Sequence, residues 1–161
     1  TEEKGEFQIN NRNVDVEKLR ELFSAIFSDF YLFDKLYGID LDGKEDSIRN
    51  YLKLLELDQK VQVENGRFTT TKLSDGQRKR LALLICLLED RPLYLLDEWA
   101  ADQDPQYRKF FYRTILMEMK SKGKIVIAIT HDESYFDAAD KIIKMNEGCM
   151  EIIKVRGNMQ Q

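Results

Sequence analysis

Three side chains in the second half of the chain have the types and spacing to act on a phosphorylated substrate. Asp97 and Glu98 stand together directly after the compact apolar run Leu93-Tyr94-Leu95-Leu96, and His131, the single histidine, follows a second apolar run ending at Ile129 and Thr130. Paired carboxylates at the end of a buried strand suit nucleotide hydrolysis. The first can hold a hydrated magnesium ion, and the second can orient or deprotonate an attacking water. Taken alone, the dipeptide is as well explained by Asp97 capping the next segment with Glu98 in solvent, and a lone histidine beside Asp132 is more often a surface or capping residue. The chemical reading therefore requires Glu98 and His131 to meet. Ser74-Asp75-Gly76-Gln77 supplies a third group: a serine cap with glutamine three positions later. Free backbone N–H groups at a helix start, the positive end of its dipole, close approach at Gly76 and the Ser74 hydroxyl make an anion site suited to phosphate oxygens. An ordinary capping box is the alternative. Lys72, Arg78, Lys79 and Arg80 make this neighbourhood basic, but such a run is usually a solvated helix face, and no specific role falls to it.

The elements that must position these groups follow from the apolar pattern. From 74 onward the capping box predicts a helix, and the run 81–88, apolar on nearly every side, predicts that it packs between layers. Pro92 precedes a buried strand at 93–96. Pro105, suited to a first helical turn, opens an amphipathic stretch over 106–122 closed by Gly123, and a second strand follows at 125–129. Strand, helix and strand in this length make a βαβ unit, and all-apolar strands imply a parallel sheet covered on both faces. Such a sheet binds ligands beyond the carboxyl ends of its strands, so Asp97, Glu98 and His131 are expected on one rim. A short helix is expected near 134–139, then a closing hairpin of 141–145 with 150–154 at the sheet edge. Upstream, 44–57 reads as an amphipathic helix carrying Ile48, Tyr51, Leu52, Leu54 and Leu55. Short strand-like pieces at 7–9 and 22–27 and a polar helical pattern at 14–20 complete the chain.

Composition sets bounds on function. The 161 residues leave room for roughly one domain of ~100–200 residues. Charged residues are 34% of the chain, above the ~25% of ordinary domains, so the surface is strongly polar around a core that the 43% of hydrophobic residues can still build. A net charge of -4 gives no global field to attract nucleic acid or anionic lipid. The longest apolar run, 81–88, is far short of the ~18 residues of a membrane span. Cys86 and Cys149 form no disulfide framework or metal spacing, which makes a reducing cytosol the simplest compartment. The acidic opening at 1–4 lacks the regions of a secretory signal.

Taken in order, these segments resemble the later part of an ATP-binding-cassette nucleotide-binding domain, a P-loop-NTPase-like α/β fold with a parallel sheet flanked by helices. Leu73-Ser74-Asp75-Gly76-Gln77 resembles the signature motif, Leu93-Tyr94-Leu95-Leu96-Asp97 the Walker B strand, and Glu98 the carboxylate after it. Ala101-Asp102-Gln103-Asp104 occupies the D-loop position and His131 the switch-histidine position. The fuller wording Lys72-Leu73-Ser74-Asp75-Gly76-Gln77-Arg78-Lys79-Arg80-Leu81, followed by Asp97-Glu98-Trp99-Ala100-Ala101-Asp102-Gln103-Asp104-Pro105, is similar to the cyclic-peptide and siderophore exporter subgroup, and residues 22–33 resemble its Q-loop region. Trp99 and Gln103 narrow the resemblance.

The resemblance implies one partial domain over 1–161, with a helical and signature subdomain at about 31–90 and a catalytic lobe at 91–161. It implies ATP and Mg2+ as cofactors, Glu98 and His131 as catalytic residues, Asp97 as the metal ligand, and Ser74, Gly76, Gln77 and Asp104 as nucleotide-binding residues. It also implies a head-to-tail dimer, in which the signature motif closes on the partner's nucleotide, and a transmembrane domain touched by a helical stretch from 31 to about 57, at the cytoplasmic face of a bacterial inner membrane. Nucleic acid is not among the expected partners. Departures accompany these likenesses. Ser28 stands at the Q-loop glutamine position, Asp75 at the first signature glycine, and Ala101 and Asp102 in place of the usual D-loop residues. No Gly-x-x-x-x-Gly-Lys-Ser/Thr occurs in the 161 residues. By resemblance that loop would precede residue 1, so the chain is expected to be a carboxy-terminal portion, inactive alone and exposing apolar sheet surface. The competing expectation is a non-catalytic lobe completing an ATP site on a separate chain.

Overall fold

A computed structural model describes residues 8, 9 and 12–155; the opening at 1–4 and Phe7 of the expected strand at 7–9 lie outside the described residues. In chain order the elements are β1 (Gln8–Ile9), β2 (Arg12–Asn13), α1 (Val16–Arg20), β3 (Phe23–Ile26), α2 (Glu45–Leu54), β4 (Val63–Glu64), β5 (Arg67–Phe68), α3 (Asp75–Glu89), β6 (Leu93–Asp97), α4 (Pro105–Phe110), α5 (Leu116–Ser121), β7 (Ile125–Ile129), β8 (Lys141–Asn146) and β9 (Cys149–Val155). The central sheet has the order β3-β6-β7, with both pairings parallel and Phe23, Leu93 and Ile125 in register. Its strands come from the three segments read as strand-like at 22–27, 93–96 and 125–129.

Alternation along the strands gives the sheet two unlike faces. Ser24, Ile26, Tyr94 and Leu96 point to one face and are buried, with Val126 packed beside them. Helix α3 lies on this side, in contact with β3 and α2, which explains why its residues Leu81, Leu83, Leu84 and Leu88 are all buried. The other face carries Ile125, Ile127 and Ile129, which are 59%, 46% and 50% exposed. Here the structure differs from the expectation of cover on both faces. An apolar strand sets what a face can bury; the elements packed on it set what it does bury.

The βαβ unit forms as its punctuation predicts. Asp104 caps α4 by accepting from Tyr107 N, and Pro105 occupies the first turn. A π turn at Phe111–Ile115 joins α4 to α5, and Gly123 takes a positive φ of 75° just beyond the end. The cap at the start of α3 is a full capping box.

Three further regions depart from expectation. Helix α2 ends at Leu54 rather than 57, where Glu56 adopts a φ of 54° and lets Leu55 and Leu57 turn into the core. Residues 31–44 hold no helix; they run as turns, with Asp34 paired to Arg67 and Lys35 bridged to it by the backbone, so the helical stretch expected from 31 shrinks to α2. The hairpin closes through Glu147-Gly148, both at positive φ, as a two-residue turn matched to strand twist requires. It forms its own two-stranded sheet, β8 with β9, and no ladder joins it to the edge of β7 among the described residues.

Candidate functional site

Parallel strands deliver their carboxyl ends to one rim, and β6 and β7 do so in adjacent positions. Asp97 is the last residue of β6 and pairs across to Ile129, the last of β7. Glu98 N donates to Ile129 O at 3.0 Å, extending the ladder one step. Two residues past Ile129, His131 Nε2 lies 3.3 Å from Glu98 Oε1. The imidazole is 93% exposed and the Glu98 side chain 43%, so the pair is open to a ligand from solvent. Asp97 sits on the same side of the sheet as Ile129, and its Oδ2 accepts from Ser28 N at 3.3 Å. The residue at the Q-loop position thus meets Asp97 through its backbone.

Glu98 itself is unusual. Its φ of 46° and ψ of 33° place it in the left-handed region, where a residue with a Cβ is disfavoured and which recurs at functional sites. The conformation ends β6 abruptly and starts the 3-10 turn Trp99–Asp102.

The loop bearing His131 is braced from α4 and the π turn. Asp132 pairs with Arg108 at 3.2 Å and accepts from Tyr112 Oη at 3.2 Å. Tyr112 Oη also lies 2.8 Å from Thr130 Oγ1, which accepts from Asp132 N. Burial, the largest influence on Tyr112, pushes its phenol up to about 12, so it stays a neutral donor. Arg108 reaches the other side as well, donating to the carbonyls of Ala101 and Gln103.

At the start of α3, Ser74 Oγ accepts from Gln77 N at 3.4 Å, and Gln77 Oε1 accepts from Ser74 N at 3.3 Å. With one lone pair used in the cap, the Ser74 hydroxyl retains a proton to donate. Gly76 is a matter of space: a Cβ there would lie 2.6 Å from Asp102 O. Gln103 Nε2 donates to Gly76 O at 3.0 Å. Gly76 therefore meets the loop at Asp102 and Gln103, while Ser74 and Gln77 bond to each other in the cap. Asp104 Oδ1 accepts from Tyr107 N at 2.9 Å, and its Oδ2 pairs with Arg80 at 3.1 Å. The hydrogen bond from Tyr107 N, helped by Arg80, holds this carboxyl below the usual carboxylate range.

The basic run that sequence reading left to solvent is half buried, and this is the main correction at the site. Lys79 and Arg80 are 5% and 8% exposed. Lys79 Nζ lies 2.7 Å from Asp102 Oδ2 and donates to Glu98 O at 2.8 Å. Arg80 donates to Gln103 Oε1, pairs with Glu56 and Asp104, and stacks over the Tyr107 ring at 3.3 Å. Arg78, Lys79 and Arg80 look alike in a sequence, whereas helical spacing turns Lys79 and Arg80 inward. Acidic Asp102 and Asp104 downstream were the available signal. Trp99 fills the space between, stacked on Phe111 at a centroid distance of 4.2 Å.

The described residues hold no cluster of three or more His, Cys, Asp or Glu able to cage a metal. Asp97, a single carboxylate at the end of β6, fits magnesium, which binds through one or two carboxylates together with phosphate oxygens and water.

Residues 1–101 match the protein family described as ABC transporter. The ATP-binding protein SyrD of Pseudomonas syringae pv. syringae is 54% identical over 136 residues, 81% of this chain and 24% of SyrD. An ATP-dependent lipid A-core flippase of Methylobacillus flagellatus is 29% identical over 153 residues, 87% of this chain and 26% of the flippase. The chain thus spans about a quarter of the length of these curated relatives. Among solved structures, a dimeric post-hydrolysis state of the ATP-binding cassette MJ0796 bound to ADP and Pi superposes with a TM-score of 0.69 at 21% identity, covering 94% of this chain and 75% of that one. A family match over more than half of the chain, on a fold shared with an ATP-binding cassette, places this protein in the ABC transporter family.

Proposed function

We propose that this chain is the signature and hydrolytic portion of the ATPase of an ABC exporter, and that the exported compound is a cyclic peptide or siderophore-like molecule. The observation that carries the proposal is the meeting of Glu98 and His131 at 3.3 Å on the rim that also holds Asp97. The wording of residues 97–105, with Trp99 and Gln103, supports the exporter subgroup. The names ATP-binding protein and ATP-dependent flippase, borne by relatives, support the use of ATP.

ATP bound with magnesium would supply the terminal phosphoryl group, whose transfer to water releases ADP. Asp97 would hold the magnesium, since it ends a strand on the open rim and its Oδ2 accepts only one bond, from Ser28 N, among the described residues. Glu98 accepts the proton of the attacking water. His131, within hydrogen-bond reach of Glu98, would orient that carboxylate and, from its exposed ring, would contact the terminal phosphate. Ser74, Gly76 and Gln77, with the backbone donors at the start of α3, would receive the phosphates of a second copy's nucleotide, and Asp104 would line that interface. On this reading the molecule acts with a second copy of itself and with a transmembrane domain, at the cytoplasmic face of the bacterial inner membrane. No helix among the described residues is long and apolar enough to cross a membrane.

The test uses the longer ABC protein that we propose contains this chain. Glu98→Gln should lower magnesium-dependent ATP hydrolysis on the order of 10²–10⁴-fold, the usual share of a general base, while nucleotide binding is retained. Hydrolysis at the unmodified rate would refute the assignment.

A further inference from the structure

Lys79 lies inside a closed set of bonds between α3 and the loop after β6. Its Nζ donates to Glu98 O at 2.8 Å and faces Asp102 Oδ2 at 2.7 Å, and its side chain is 6% exposed. Trp99 Nε1 donates back to Lys79 O at 2.8 Å, so the two segments grip each other in both directions. A buried ammonium is stable only when paired and hydrogen-bonded. Asp102 supplies the opposite charge, and the Glu98 carbonyl is the second acceptor. That carbonyl belongs to the one residue of the site held in the left-handed region, at φ 46°. Fixing it fixes the Glu98 backbone, and from this backbone the carboxylate reaches His131 Nε2.

The geometry points to Lys79 as a positioning residue of the hydrolytic site: it locks the Glu98 main chain in its left-handed conformation so that the carboxylate stays aimed at His131. The inference rests on the reading of Glu98 as the base. Lys79 takes no proton and touches no substrate. Because it is carried by α3, it also ties the helix that starts at Ser74 to Glu98 of the same copy.

In the longer ABC protein, Lys79→Met should lower kcat for ATP hydrolysis roughly tenfold or more, as displacement of a catalytic group does, with KM for ATP changed by less than about twofold. Lys79→Arg, which retains a buried donor and the charge opposite Asp102, should recover most of the loss. Lys79→Gln keeps polarity without the charge, should behave as Lys79→Met, and replaces it if the methionine variant does not fold. A second measurement uses the 161-residue chain, whose single histidine gives one set of imidazole ring resonances. These should move on Lys79→Met as they do on Glu98→Gln, and stay in place on Lys122→Met, which removes a surface cation paired with Glu118. Unchanged kcat in Lys79→Met where Glu98→Gln is inactive overturns the positioning role and leaves the base in place; an active Glu98→Gln overturns the base instead. Imidazole resonances unmoved by Lys79→Met, a raised KM at constant kcat, or no recovery with arginine would each reduce Lys79 to a tether for α3.

Discussion

Gly76 shows how one residue can serve packing where chemistry suggested a different reason for it. In the sequence it reads as the glycine that lets a phosphate approach a helix start. In the fold the nearest neighbour to its missing Cβ is a backbone oxygen of Asp102, 2.6 Å away, with Gln103 Oε1 at 3.4 Å. The Gln103 side chain is not free to yield, because it is itself bonded to Arg80 and to Gly76 O, and the Asp102 oxygen is backbone. Gly76→Ala should therefore destabilise the chain by about 1–3 kcal/mol, as overpacking of a close contact does, read as a lower urea midpoint at unchanged slope. A midpoint equal to that of the parent would mean that α3 and the Trp99–Asp102 turn separate easily.

At the scale of elements, the joint between α3 and the start of α4 depends on Arg80. One planar guanidinium satisfies Gln103, Glu56 and Asp104 and lies flat on Tyr107. A lysine carries a single ammonium and cannot meet three acceptors in this fork, so Arg80→Lys is not conservative here. We expect Arg80→Met to cost about 2 kcal/mol in chemical denaturation, less than the ~3–5 kcal/mol of a fully buried pair, because Glu56 and Asp104 are more than half exposed. Arg80→Lys should lose most of the same amount. The helix and its cap were legible in advance, since Ser74 and Gln77 form a local pattern that needs only four residues. Burial of Lys79 and Arg80 was not, because it depends on Asp102, Asp104 and Glu56, more than twenty residues away along the chain in each case.

The whole molecule is asymmetric across its sheet. Helices cover the side of Tyr94 and Leu96, while Ile125, Ile127 and Ile129 project from the other. A contiguous apolar strip of this kind binds hydrophobic dyes and marks a surface with affinity for other apolar groups. Ile127→Lys, at the middle of β7, should cut 1-anilinonaphthalene-8-sulfonate fluorescence of the chain by roughly half or more while leaving thermal stability nearly unchanged, since side chains exposed on the native surface contribute little to folding. Equal dye binding in parent and variant would locate the exposed apolar surface elsewhere, with the hairpin residues Met145, Met150 and Ile153 as the alternative.

The place of β3 beside β6 did not follow from the sequence, whereas the βαβ unit, the capping box and the sharing of one rim by Asp97, Glu98 and His131 did. Each depends on local periodicity or on the rule that parallel strands end on the same side. Contacts between distant segments required the tertiary structure: the inward turn of Lys79 and Arg80, the steric role of Gly76 and the separate hairpin. A pattern of residue types records what each segment is able to bury or bond. Which partner it meets is determined only when segments far apart in the chain compete for the same space.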